Sequence, residues 1–139
     1  MAGTRLAKIT AAKRALEQAK TLPDVKDIRD KAEAIRNYAK QAGETLDVQN
    51  LAAEIKLRAE RKGGELIAKM SKQSGSRGTG KKVESQGVTP LLEDLGVTKS
   101  QSSRWQQQAS VPEDQFEAYV VESTANQKEL TSTGLRKLA

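Results

Sequence analysis

From Val25 to Leu46 the apolar positions are Val25, Ile28, Ala32, Ile35, Ala39, Ala42 and Leu46, in steps that alternate three and four. That spacing draws one stripe along an α-helix. It does not suit a strand, whose side chains change face at every residue. After Leu46 the register shifts, and a second stripe follows at Val48, Ala52, Ile55, Ala59, Leu66 and Met70. Gly43 stands just before the shift, so the pattern predicts a break there and a helical hairpin with a long second helix. Upstream, Leu6, Ile9, Leu16 and Ala19 mark a shorter helix with Thr4 as its expected N-cap. The segment 21–24 ends it, and Pro23 suits the first turn of the next helix. Because the seam is rich in Ala, each helix buries little area. A monomer is predicted to be marginal, and a homodimer through the N-terminal helices, using the second stripe, is expected to support it.

The remaining composition agrees with an all-α chain. One Phe, two Tyr and one Trp in 139 residues are too few for a β-sandwich or barrel. There is no Cys and no His, which removes thiolate and imidazole ligands, Cys nucleophiles and imidazole bases. The adjacent acids Glu93/Asp94 and Glu113/Asp114 suit the positive N-terminal ends of helices. No enzyme activity, cofactor, metal or small-molecule substrate is therefore expected. No apolar run reaches the length of a membrane span, and a cytoplasmic protein without a membrane partner is expected.

Residues 73–87 are dense in Gly and Ser and read as a flexible basic tether. The Gly80-Lys81 pair is superficially like a phosphate loop, but Lys82 stands where Ser or Thr should follow and no hydrophobic strand precedes it. Arg77, Lys81 and Lys82 are expected to make auxiliary, unspecific phosphate contacts.

Beyond the tether, Thr89-Pro90 is expected to open a short helix with Leu91 and Leu95 on its buried face. Gly96 then makes a tight turn, Val97 plugs the corner and Thr98 caps a second helix. Trp105 is expected to close the core by packing rather than to stack on a base. Val111-Pro112 ends the second helix. A third starts at Glu113 and Asp114 with Phe116, Tyr119 and Val120 on its apolar face, and a last short one holds Leu135 and Leu138. The expected architecture is thus a helical hairpin with a coiled-coil-like long helix (1–72), a tether (73–87) and a helix-turn-helix module (88–139).

The second helix of that module is suited to the DNA major groove. Thr98, Lys99, Ser100, Gln101, Ser103, Arg104 and Gln107 offer hydroxyls, amides and cations and no carboxylate. Segment 91–105, Leu-Leu-Glu-Asp-Leu-Gly-Val-Thr-Lys-Ser-Gln-Ser-Ser-Arg-Trp, followed by Val111-Pro112-Glu113, resembles the helix-turn-helix of ParB/KorB-type partition and repressor proteins. The whole chain resembles small proteins of bacterial phages and other mobile elements. The resemblance implies sequence-specific binding to double-stranded DNA by a regulator or partition-type adaptor associated with the nucleoid. It covers about a quarter of the chain. Leu92 replaces a usual small residue and Ser102 a usual branched apolar one. The ParB nucleotide-binding motifs are absent, so CTPase activity is not implied.

Charge is unevenly distributed. Residues 1–72 carry 16 basic and 10 acidic side chains, whereas residues 88–139 carry 5 and 7. The reading head is slightly acidic, so specific binding is expected to need dimerisation and help from the basic regions. Most cations of the N-terminal helices, such as Lys13, Arg14, Arg58, Arg61 and Lys62, are expected to form a solvated face. The competing expectation is a structural or assembly protein, such as a small-terminase-like or scaffold oligomer with weak, unspecific DNA contact.

Overall fold

The computed structural model describes the backbone of residues 2–75 and 92–139 and the side chains of 6–70 and 92–139. These residues fold into helices. The helices are α1 (Ala2–Gln18), α2 (Leu22–Gln41), α3 (Leu46–Gly75), the helical turn α4 (92–95), α5 (Lys99–Ala109), α6 (Glu113–Ala125) and α7 (Ser132–Arg136). Among the described residues no helix is long and apolar enough to cross a membrane.

The helix boundaries follow local chemistry. Thr4 lies inside α1 rather than at its cap, because the helix already begins at Ala2. At the other end, the Lys62 ammonium donates to the Leu16 carbonyl at 2.8 Å and satisfies part of the last turn of α1. Thr21 caps α2 by accepting from the Asp24 N–H, with Pro23 in the first turn. The helix stops at Gly43 (φ 73°), where the Glu44 N–H reaches back to the Ala39 carbonyl at 3.0 Å. The short connection that follows lays α3 antiparallel against α2.

At 1.5 Å per residue the 30 residues of α3 make a rod of about 45 Å. It is covered on more than one side. Ala52, Ile55 and Ala59 pack with Ile9, Leu16, Val25, Ile28 and Ala32 of α1 and α2. Ala53 and Leu57 pack instead with Val111, Phe116, Leu130 and Leu135. Further along, Ile67 joins Leu22, Leu92, Val97 and Trp105. Among the described residues, each of these clusters therefore includes α3.

This arrangement bears on the expected organisation. The stripe Ala52, Ile55, Ala59 is already covered within the chain by α1 and α2, so it is not a free dimer seam. Residues 92–139 also do not stand apart from the N-terminal helices, since α3 supplies part of their core.

Candidate nucleic-acid interface

The approach to α5 is set by a turn with matched chemistry. Gly96 takes φ 79°, a left-handed conformation that costs glycine little. Its N–H bonds the Glu93 carbonyl at 3.0 Å, and the Val97 N–H bonds the Leu92 carbonyl at 2.8 Å. These two reversed bonds close α4 in the Schellman pattern, and Val97 and Leu92 are buried together beneath it. Leu92 rather than Leu95 is the buried residue of this turn, while Leu95 is half-covered. Thr89, Pro90 and Leu91 lie outside the described residues.

Thr98 then starts α5 with a reciprocal cap. Its hydroxyl accepts from the Gln101 N–H at 3.0 Å, and the Gln101 side chain accepts from the Thr98 N–H at 3.1 Å. Both side chains are occupied in the cap, which fixes where the helix begins. Ser102 is buried, and its hydroxyl accepts from the Gln106 amide at 3.1 Å. A polar residue is thereby tolerated where an apolar one was expected.

One face of α5 is seated on α3. Trp105 is 2 % exposed, and the Arg29 guanidinium lies 5.8 Å from its ring centroid. Truncating a tryptophan buried this deeply costs about 3–5 kcal/mol, and none of its ring is offered to a base. The close seat depends on adjacent glycines in α3. A Cβ on Gly63 would press on the Trp105 ring, and one on Gly64 would fall on the Trp105 carbonyl. Two glycines inside a helix cost about 1 kcal/mol each relative to alanine. Here they admit the backbone of a second helix.

A charged network locks the same interface. Glu60, 2 % exposed, accepts from Arg29 Nε, Gln108 Nε2 and Ser132 Oγ, each at 2.8 Å. Burial alone would lower the Arg29 pKa, but the charge and hydrogen bond of Glu60 outweigh it and raise the value. Arg61 is also buried. Its guanidinium donates to the carbonyls of Gln108 and Val111 at 2.8 Å, to Glu113 at 2.9 Å, and lies 4.7 Å from the Phe116 ring centroid. Arg58 bonds Glu117 at 2.6 Å. Burial likewise depresses the Arg58 pKa, and the bonds to Glu117 and Glu54 reverse the sign. Arg58, Arg61 and Lys62 are therefore structural cations rather than a solvated face, because α5, α6 and α1 cover that side of α3. Lys13 and Arg14 are exposed, as expected.

The opposite side of α5 is open. At 3.6 residues per turn, Lys99, Ser100, Ser103, Arg104 and Gln107 share one arc, and all five are exposed. No carboxylate stands on it. Neither Lys99 nor Arg104 makes an ion pair among the described residues. In contrast, Glu113, Glu117 and Glu129 of the acidic C-terminal part pair with Arg61, Arg58 and Arg36. Part of the local acidity is thus neutralised by α2 and α3, away from the exposed arc. Seven residues of segment 98–107 are candidate contacts by residue type. The structure brings five of them to one face and commits Thr98 and Gln101 to the cap. Arg77, Lys81 and Lys82 lie outside the described residues. Comparison with known proteins adds no relative, since no family model, curated protein or solved structure matches this chain.

Proposed function

We propose that this chain is a sequence-specific double-stranded DNA-binding protein, a regulator or partition-type adaptor acting on the nucleoid. It reads the major groove with Lys99, Ser100, Ser103, Arg104 and Gln107. The observation that carries this reading is the division of α5 into a face fixed on α3 and an exposed, carboxylate-free face. A groove-reading helix needs both properties, because base contacts discriminate only when the backbone presenting them is held in register. Helix α4, the Gly96 turn and the capped α5 have the order of a helix-turn-helix.

The roles follow from the side chains. Arg104 suits the O6 and N7 of guanine, Gln107 suits adenine, and Ser103 between them reaches a base edge or phosphate. Lys99 and Ser100, in the first turn of α5, suit a backbone phosphate. With only two cations on the face, the unspecific electrostatic part of binding is small. Two copies on paired half-sites supply the remaining affinity.

Binding of the full chain to its preferred duplex tests the assignment. Ser103→Ala combined with Gln107→Ala removes two contacts from exposed positions and leaves the helix cap and core untouched. Each lost base contact is worth about 1–3 kcal/mol, so specific affinity is expected to fall by roughly thirtyfold or more while helicity stays native. Unchanged specific affinity would overturn the reading.

A further inference from the structure

Beside α5, residues of α2, α3, α5 and α7 line an open cleft of about 230 Å³. Arg29, Lys56, Arg104 and Arg136 line it, together with one carboxylate, Glu60. The charges are not all free. Arg29 is tied to Glu60 at 2.8 Å, and Lys56 to Glu33 at 2.8 Å. Both Glu60 oxygens are in turn saturated by Arg29, Gln108 and Ser132. Arg104 and Arg136 differ. Neither forms an ion pair among the described residues.

Arg136 is nevertheless held in place. It donates to the Gln108 carbonyl-side oxygen Oε1 and to the Thr133 hydroxyl, each at 3.2 Å, and both are neutral acceptors. Two guanidiniums without a carboxylate partner thus line one small cleft, one of them half-buried and braced by uncharged groups, and such a lining favours an anion. Planar nitrogen forks of this kind match the oxygens of a phosphate group.

We propose that this cleft is an anion site for a single phosphate group, held chiefly by Arg104 and Arg136. Its volume is below the range of roughly 300–1,000 Å³ usual for whole small-molecule ligands, which suits one phosphate rather than an enclosed nucleotide. The site shares Arg104 with the proposed reading face, whereas Arg136 is on α7 and outside the exposed face of α5, so the effect of Arg136→Gln separates the two. The phosphate chemistry has two sources. One is free phosphate or a phosphate monoester, and the other is a phosphodiester of a nucleic-acid backbone.

Titration of the full chain with inorganic phosphate, followed by NMR against chloride at matched ionic strength, tests the site. Saturable shifts centred on α5 and α7 are expected. Arg104→Gln and Arg136→Gln should each weaken binding by about tenfold, as for loss of a charge-assisted hydrogen bond, while Lys137→Gln at an exposed position leaves it unchanged. Arg104 makes no hydrogen bond or ion pair among the described residues, so its variant retains the fold and decides the matter alone if Arg136→Gln fails to fold. A drift equal to that of chloride, or wild-type phosphate affinity in Arg104→Gln, would overturn the site. Displacement of phosphate by a short duplex whose own binding is weakened by Arg136→Gln, at a residue outside the reading face, would support the site and identify a backbone phosphodiester as its occupant. Phosphate binding undiminished by duplex would support it and identify the free anion or monoester.

Discussion

Gly64 of α3 faces the carbonyl of Trp105 in α5 with no room for a side chain between them. The exposed face of α5 is aimed by this contact, since the helix can sit no closer and no further without breaking it. Gly64→Ala is an informative change because its two effects have opposite signs. Helix propensity alone would stabilise the protein by about 1 kcal/mol. Overpacking against a backbone carbonyl costs about 1–3 kcal/mol or more. The structure predicts that the second effect wins, giving a lower urea midpoint for Gly64→Ala than for wild type. A raised midpoint would contradict the packing.

Gln127 offers a prediction in the other direction. It takes φ 56° after α6, where the Lys128 N–H bonds the Ser123 carbonyl at 2.8 Å. A left-handed conformation costs a residue with a Cβ about 1–2 kcal/mol, much of which glycine avoids. Gln127→Gly is therefore expected to stabilise the protein by about 1 kcal/mol, or roughly 3 °C in Tm for a chain of this size. Thermal unfolding followed by circular dichroism checks it.

The acid side of the stability profile should depend on Glu33. Burial raises its pKa, but hydrogen bonds and charge from Lys56 and Arg36 outweigh that and hold it below the usual carboxylate range. A carboxyl whose folded pKa is depressed stabilises the fold fully above the unfolded value, about 4.3 for glutamate. That contribution is lost as pH falls through the lower folded value. Glu33→Gln should thus be less stable than wild type near neutrality, with the gap closing in acid. Urea unfolding at a series of pH values measures it, and a gap constant with pH would contradict the assignment.

Much of this architecture was legible in the chain. The steps of three and four from Val25 to Ala39 gave the seam of α2, and Gly43, Thr21 and Thr98 marked helix ends through chemistry that is local by nature. The second buried side of α3 was hidden. Its residues include Asn50, Glu60, Arg61, Gly63 and Gly64, which no hydrophobic pattern selects. Asn50 bonds the Lys128 carbonyl and the Leu130 N–H at 2.9 and 3.0 Å, partners about 80 positions away in sequence. The glycine pair was the available signal, because adjacent glycines inside a periodic helix suggest that another backbone comes close. For the candidate site, the residue types on α5 could be read directly. Which of them face outward could be read only in part, because the capping box withdraws Thr98 and Gln101.

The exposed face of α5 is proposed to read duplex sequence. Selection of bound duplexes from a random pool by the full chain tests this most directly. Enrichment of a defined motif in paired half-sites about one helical turn apart is expected, and it should be lost in Ser103→Ala/Gln107→Ala. Binding that enriches no sequence would contradict it and would favour a structural oligomer with unspecific DNA contact.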